Sequence, residues 1–440
     1  MIYKSIGHAR SDMLILKGKY TTAKIMIDSV DESCLNQIND FINHSAFTNP
    51  VAIMPDTHAG KGSVIGFTMP LSNKVIPNVI GVDIGCGMHS INIGNNLNLS
   101  LEKLDYKIRR SIPFGNEVHD NAIINFKNDF PWHKVNVMAE KFTAAYKSKF
   151  KDTIESPRYT NEWFMEKSQK IGGNIRRYIN SIGTLGGGNH FIETGISDKG
   201  DYWITVHSGS RNFGKRICEY WQNRAIKILK KENIPGISTH TRGLEWLEGE
   251  MAAQYLFDMV FSQIYAGVNR KYIINSICSI LKLDPLESIE TVHNFIDFKD
   301  LIIRKGAIRS YEGERIIIPF NMRDGLIICE GKSNPDWNFS APHGAGRVMS
   351  RNEAKKNLDI ESFKQQMKGI YSTSVGSSTL DESPDSYKEA SLIKKAIKDT
   401  AEIMYHIKPL HNMKDTAQNR FKIKKNKKKG KNKHIFRNYS

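Results

Sequence analysis

Five short segments put metal-ligand side chains beside glycine or at the ends of strand-like runs: MPDTHAGKG at 54–62, GVDIGCGM at 81–88, GGGNHFIE at 186–193, VHSGSR at 206–211 and TVHNF at 291–295. Asp83 and Cys86 stand three apart in a glycine-bounded turn, which lets both point at one centre. His190, His207 and His293 bring neutral imidazoles to it from separate segments. The set mixes N, O and S donors. Ligand type alone puts zinc first, with iron, cobalt or manganese behind it, because the affinity order does not favour manganese. Taken singly, each segment also fits a structural role: a histidine at a strand end commonly hydrogen-bonds its surroundings, and Asp56 with His58 could cap a turn. Together they point to a metal site.

HGAGR at 343–347 has a different character. Small residues leave the backbone N–H groups around His343 open, and Arg347 and Arg351 follow on one side, so an anion would settle there. A histidine nitrogen held among phosphate-binding groups can attack phosphorus. Arg211 in HSGSR offers a second guanidinium fork. Standing alone, the motif would read equally as a glycine turn with surface arginines. The sequence holds no G-x-x-x-x-G-K-[ST] segment, so P-loop hydrolysis is not indicated.

The elements that must carry these residues alternate along the chain. Residues 50–93 read as short strands joined by glycine turns, and 98–180, polar and Lys-rich, as surface helices without chemistry. YWITVHSGS reads as a strand running into a loop. Residues 214–282 have few breakers, and Leu244, Leu247, Met251, Ala252, Tyr255 and Met259 recur at helical spacing, as core residues do. Strands return over 290–347, and 384–405 reads as helix. No repeat of 20–50 residues occurs, and no linker divides 1–416, so a single α/β domain with helical insertions is expected.

Composition narrows the partners. Of the formal charge of +17, residues 417–440 carry ten Lys and Arg and no acid, leaving seven units of net positive charge on the remainder. Both parts suit a polyanion. The tail also fits a disordered, solubilising end. Five scattered cysteines argue for reduced thiols rather than a disulfide framework. With no long apolar run and no apolar core in the first residues, a cytoplasmic protein without membrane contact is expected.

In order, MPDTHAGKG, GVDIGCGM, GTLGGGNHFIE, VHSGSR, VHNF and HGAGRVMSR resemble the segments of the RtcB RNA ligases, from about residue 50 to about 414. The resemblance implies a mixed α+β catalytic domain of the RtcB type over 1–416. It implies joining of RNA 2′,3′-cyclic phosphate or 3′-phosphate ends to 5′-hydroxyl ends with GTP and two Mn²⁺ ions, in RNA repair or tRNA splicing. By the same resemblance Asp83, Cys86, His190, His207 and His293 are the manganese ligands, Cys86 bridging the ions. His343 is the residue guanylylated, and Asp56 an essential acid beside the metals. Asn189, Glu193, Asn294 and the run His343, Gly344, Ala345, Gly346 face the nucleotide together with the ligands His190 and His293. Tyr387 and Lys414 contact guanine, and Arg211, Arg347 and Arg351 bind phosphate or RNA. An activating partner such as archease or a release-factor-like protein is compatible with the family.

The chain departs from the family where RKGAIRS is followed by IPFNMRDG at 318–325 in place of a P-G-S-M-G run. Asn321 then stands where a nucleotide hydroxyl contact is expected. NPDWNFSAPHGAGR also differs from the common form, which fits a divergent branch tied to RNA repair. Two other readings stay open: a metal-dependent RNA phosphodiesterase or phosphatase that has lost guanylyl transfer, and a non-catalytic RNA-binding protein.

Overall fold

The glycine-bounded apolar runs form strands because alternate residues face a core on each side of tight turns, and these strands assemble two seven-stranded sheets. The computed structural model describes residues 2–4, 13–231 and 243–416. The first sheet runs Ile2–Lys4, Leu14–Lys17, Thr22–Ile25, Val51–His58, Ile65–Pro70, Ile302–Lys305, Asn294–Ile296. The second runs Arg315–Pro319, Leu326–Gly331, Ala401–Met413, Phe191–Ser197, Tyr202–Ser208, Gly87–Asn92, Glu287–Val292. A two-stranded ribbon, Ala307–Arg309 with Ser340–Pro342, lies beside them. Thr22–Ile25 pairs with Val51–His58 in parallel, while the neighbouring pairings are antiparallel. The architecture is a mixed α+β single domain with helical insertions, as expected.

Helices fill the polar stretch between the sheets in sequence: Leu101–Ser111, Trp132–Phe150, Asn161–Lys170 and Ile175–Asn180. Ser100 and Thr160 cap two of them by accepting from the backbone N–H three residues on. The helix Gly249–Leu281 is apolar nearly all round and correspondingly buried. Its first half, through Tyr255, Phe261 and Tyr265, packs into the core beneath the first sheet. Its second half, through Ile273 and Ile277, packs under the second sheet with Ile204 and Val206. One rigid rod thus indexes both sheets.

Two expectations need correction. Leu244 and Leu247 lie ahead of the helix, which starts at Gly249, and the Leu247 backbone pairs with Val75 instead. The segment 384–405 is helical only over Ala390–Ala396 apart from short 3₁₀ turns, and Ala401 opens a thirteen-residue strand. That strand lies between Leu326–Gly331 and Phe191–Ser197, so pairing on both sides overrides local preference. The expected basic tail at 417–440 lies outside the described residues. All five cysteines are free. No described helix is long and apolar enough to cross a membrane.

Candidate metal and nucleotide site

Four of the five donors stand at strand ends, and Asp83 lies in the turn ahead of Gly87–Asn92. Cys86 immediately precedes Gly87–Asn92, His190 precedes Phe191–Ser197, and His207 ends Tyr202–Ser208, where it pairs with Met88 and Phe191. His293 is the residue between Glu287–Val292 and Asn294–Ile296, where the chain crosses from one sheet to the other. Cys86 Sγ lies 3.4 Å from His190 Nε2 and 3.3 Å from His207 Nε2. His207 Nε2 lies 3.3 Å from His293 Nε2, and Asp83 Oδ2 lies 3.1 Å from His190 Nε2. Cys86, His190 and His207 form a buried group whose ligand atoms fall within 4.8 Å of one another.

The imidazole tautomers follow from their outer partners. His190 Nδ1 faces the Leu185 carbonyl at 2.9 Å and His207 Nδ1 the Asn189 carbonyl at 3.2 Å. A carbonyl only accepts, so both rings carry the proton on Nδ1 and turn a bare Nε2 inward. Bare nitrogens, a carboxylate and sulfur then face one another at close range, an arrangement that repels itself unless positive charge lies among them. Burial, with neighbouring cationic groups, drives His207 and His293 well below the usual histidine range, keeping them neutral. Burial and the Asp83 charge push the Cys86 thiol well above its ordinary value, so a metal would have to displace its proton. Burial would raise Asp83 too, but His190 and Arg211 outweigh it and hold the carboxylate ionised. The buried Nδ1 of His293 has no partner. The donor set fits a borderline divalent transition-metal ion.

His343 follows the ribbon strand Ser340–Pro342 and meets Asp56, which is wholly buried on Val51–His58. Asp56 Oδ2 accepts from the His343 backbone N–H at 3.2 Å and lies 2.6 Å from Nδ1. In the neutral ring the carboxylate keeps the proton on Nδ1, which leaves Nε2 with its lone pair. The His343 and His293 ring centres are 4.8 Å apart, which sets this nitrogen beside the donor cluster. Gly346 has φ +77°, and a Cβ there would fall 2.1 Å from the Asp56 carbonyl oxygen, so the HGAGR turn lies directly on the Asp56 strand.

A cleft of about 880 Å³ opens over His343. It gathers Asn189, Glu193, His207, Asn321, Tyr387 and Lys414 with Gly344, Ala345, Gly346, Arg347 and Arg351. Burial raises the Glu193 carboxyl to about 8, against the opposing pull of Asn412 and Lys414, so it is largely protonated at neutral pH. Other expected contacts point elsewhere. Asn294 is absent from the cleft lining: its Oδ1 accepts from Gly306 N and its Nδ2 donates to the Asp83 carbonyl, bracing the metal turn. Arg211, also outside the lining, donates to Thr184 Oγ1 and the Gly115 carbonyl. Asn321 Oδ1 accepts from the backbone of Arg323 and Asp324, so it shapes its own turn at the cleft edge.

Several residues that position the site escaped the sequence reading. Glu382 accepts from Tyr387 Oη and Lys414 Nζ, each at 2.8 Å, and from Arg351 at 2.6 Å. Burial opposes its charge, yet Lys414 and Arg351 hold its carboxyl down at about 2. Arg351 also pairs with Asp381, so the two cleft arginines stand against acids. Glu382 heads ESPDSYK, and an acidic pair ahead of Ser-Pro, matched to nearby arginines, was its only signal. Asn269 binds the backbone of Gly183, Thr184 and Gly209, and Arg270 that of Gly85 and Ser208. The long helix thereby clamps the loops that bear Cys86, His190 and His207. Lys388 Nζ donates to the carbonyls of Pro55 and Thr57, gripping Asp56 from both flanks.

Comparison with known proteins agrees with this geometry. The family model described as tRNA-splicing ligase RtcB matches residues 37–415. The chain is 29% identical over 384 residues to the RNA-splicing ligase RtcB of Escherichia coli K12, covering 81% of this chain and 88% of that protein. It is 30% identical over 385 residues to RtcB1 of another Escherichia coli strain, with the same coverage. The tRNA-splicing ligase RtcB of Aeropyrum pernix is 24% identical over 442 residues, covering 86% and 88%. The matched region takes in every donor of the buried cluster as well as Asp56 and His343, and the chain belongs to the RtcB family of RNA ligases.

Proposed function

We propose that the chain seals RNA 2′,3′-cyclic phosphate or 3′-phosphate ends to 5′-hydroxyl ends, using GTP and manganese, through a guanylylated His343. The observation that carries this reading is the contact between His343 Nδ1 and Asp56, which in the neutral ring holds the proton on Nδ1 and leaves the Nε2 lone pair free at the cleft. Manganese and GTP are chosen on family membership, since the donor set alone also suits zinc.

Asp83, Cys86, His190, His207 and His293 would hold the two ions: His190 and His207 each reach Cys86 Sγ, and Asp83 and His293 reach those histidines in turn. Bound there, the ions would neutralise and polarise the GTP phosphates. His343 Nε2 attacks the α-phosphorus; the N–P bond forms as the bond to pyrophosphate breaks. Asp56 holds the Nδ1 proton while positive charge develops on the ring. A cyclic RNA end is first hydrolysed to its 3′-phosphate. That phosphate takes GMP from His343, and the 5′-hydroxyl then displaces GMP to give the new phosphodiester. Lys414 and protonated Glu193 present donors to the base, Tyr387 lines the cleft beside them with its hydroxyl proton given to Glu382, and Glu382 keeps Tyr387 and Lys414 oriented. A sealing assay with 2′,3′-cyclic phosphate and 5′-hydroxyl RNA tests the reading. Ligated product requiring both GTP and Mn²⁺ is expected; opening of the cyclic phosphate without sealing would contradict it.

A further inference from the structure

We propose that the grooves flanking the turn Pro319–Gly325, beside the nucleotide cleft, hold the RNA strand behind its reacting end, with the exposed Val348 and Leu392 against ribose and base and a basic far groove against phosphates. The inference rests on the ligase reading above. The turn Pro319–Gly325, where the chain departs from the family pattern, has grooves on both faces. On one face Phe320 and Asn321 line the cleft over His343. A second groove, of about 690 Å³, shares Asn321 and Tyr387 with that cleft. Val348 and Leu392 line it together with Lys388 and the acids Asp324, Asp385 and Glu389, which turn phosphates away from it and leave the aliphatic surface for ribose and base. Val348 and Leu392 are 55% and 50% exposed, uncommon for large aliphatic side chains bordering a reaction cleft.

A third groove, of about 870 Å³, shares Arg323 and Asp324 with the second, so all three grooves adjoin the one turn. Its walls carry Lys368, Lys394, His406 and Lys408. Lys368 and Lys408 are exposed, and neither has an acidic partner among the described residues. Lys394 sets its ammonium 5.3 Å from the centre of the Phe320 ring, which joins the basic groove to the cleft wall. Arg323 is held by Asp324 and Gln366, so it shapes the turn rather than offering charge outward. Cations without acidic partners, in a groove that adjoins a cleft receiving a phosphate end, match a single-stranded backbone, and the exposed Val348 and Leu392 match the nucleotides nearest the end.

The test compares the full chain with its Lys368→Gln/Lys408→Gln and Leu392→Ser variants. Three readouts are taken: self-labelling from α-labelled GTP without RNA, KM for RNA sealing across a salt series, and anisotropy of a short labelled 3′-phosphorylated RNA. The expected result is unchanged self-labelling with a roughly tenfold rise in RNA KM for the double variant. Its log–log salt slope should fall by about 1.4, from about 0.7 for each lost contact to a single strand. Leu392→Ser should raise KM without altering the slope. Unchanged KM, slope and anisotropy with intact self-labelling would overturn the proposal. If the wild-type chain neither labels nor seals, the ligase reading fails by itself, and the anisotropy still decides: weaker binding by the double variant supports the proposal, and equal binding overturns it.

Discussion

His343 and Asp56 stand 287 residues apart in the chain, yet the Nδ1 of one lies 2.6 Å from the Oδ2 of the other, and Asp56 is wholly buried. A carboxylate so placed fixes the imidazole tautomer and steadies the ring as it gains charge. Asp56→Asn keeps the shape but loses the charge and presents an amide that can favour the wrong tautomer. Self-guanylylation should fall by at least about 10²-fold while the variant remains folded, as rates of labelling beside circular dichroism would show.

Lys388 tests whether that pair depends on its surroundings. Its ammonium bridges the carbonyls on either side of Asp56 and lies near the Asp56 carboxylate. Lys388→Met should lower the labelling rate at saturating GTP by about 10–100-fold, leaving the GTP KM nearly unchanged, with Lys388→Arg recovering part of the rate. A change confined to KM would speak against a positioning role.

Gly346 gives a steric test of the same contact. An alanine there must adopt a positive φ and push against the Asp56 carbonyl. Gly346→Ala should cost roughly 1–3 kcal/mol and displace the HGAGR turn, lowering both the unfolding midpoint and the labelling rate.

Glu193 makes stability depend on pH. Its folded carboxyl titrates at about 8 against an ordinary value of 4.5, so the folded state retains a proton that the unfolded chain releases. Below 4.5 both states are protonated and folding bears no penalty from this group. From there up to about 8 stability declines, because the unfolded state sheds its proton first. Glu193→Gln, which resembles the protonated form, should be more stable than wild type at pH 7.5 and equal to it near pH 4.5. Urea unfolding at the two pH values measures the difference.

The donors of the buried cluster are legible because their chemistry is written in residue type: Asp83 and Cys86 share a glycine-bounded turn, and the three histidines stand at strand ends. What orients them was hidden. Asn269 and Arg270 occur in the middle of a helix that reads as buried core, and only the fold reveals that they face the loops at Gly85, Thr184 and Ser208. Nothing local to Glu382 marks it, because its cationic partners come from segments 31 and 32 residues away. The strand Ala401–Met413 was misread for a similar reason: its identity is set by the strands on either side rather than by its own pattern. Asn294 was placed at the nucleotide on motif alone, whereas its amide joins Gly306 to the Asp83 turn.

The central claim is that His343 Nε2 takes up GMP with help from the donor cluster. Incubating the purified chain with α-labelled GTP and Mn²⁺, then denaturing it, should leave acid-labile label covalently bound. That label should be lost in both His343→Ala and Cys86→Ala. Label that survives in His343→Ala, or no label on folded, metal-loaded wild type, would contradict the account.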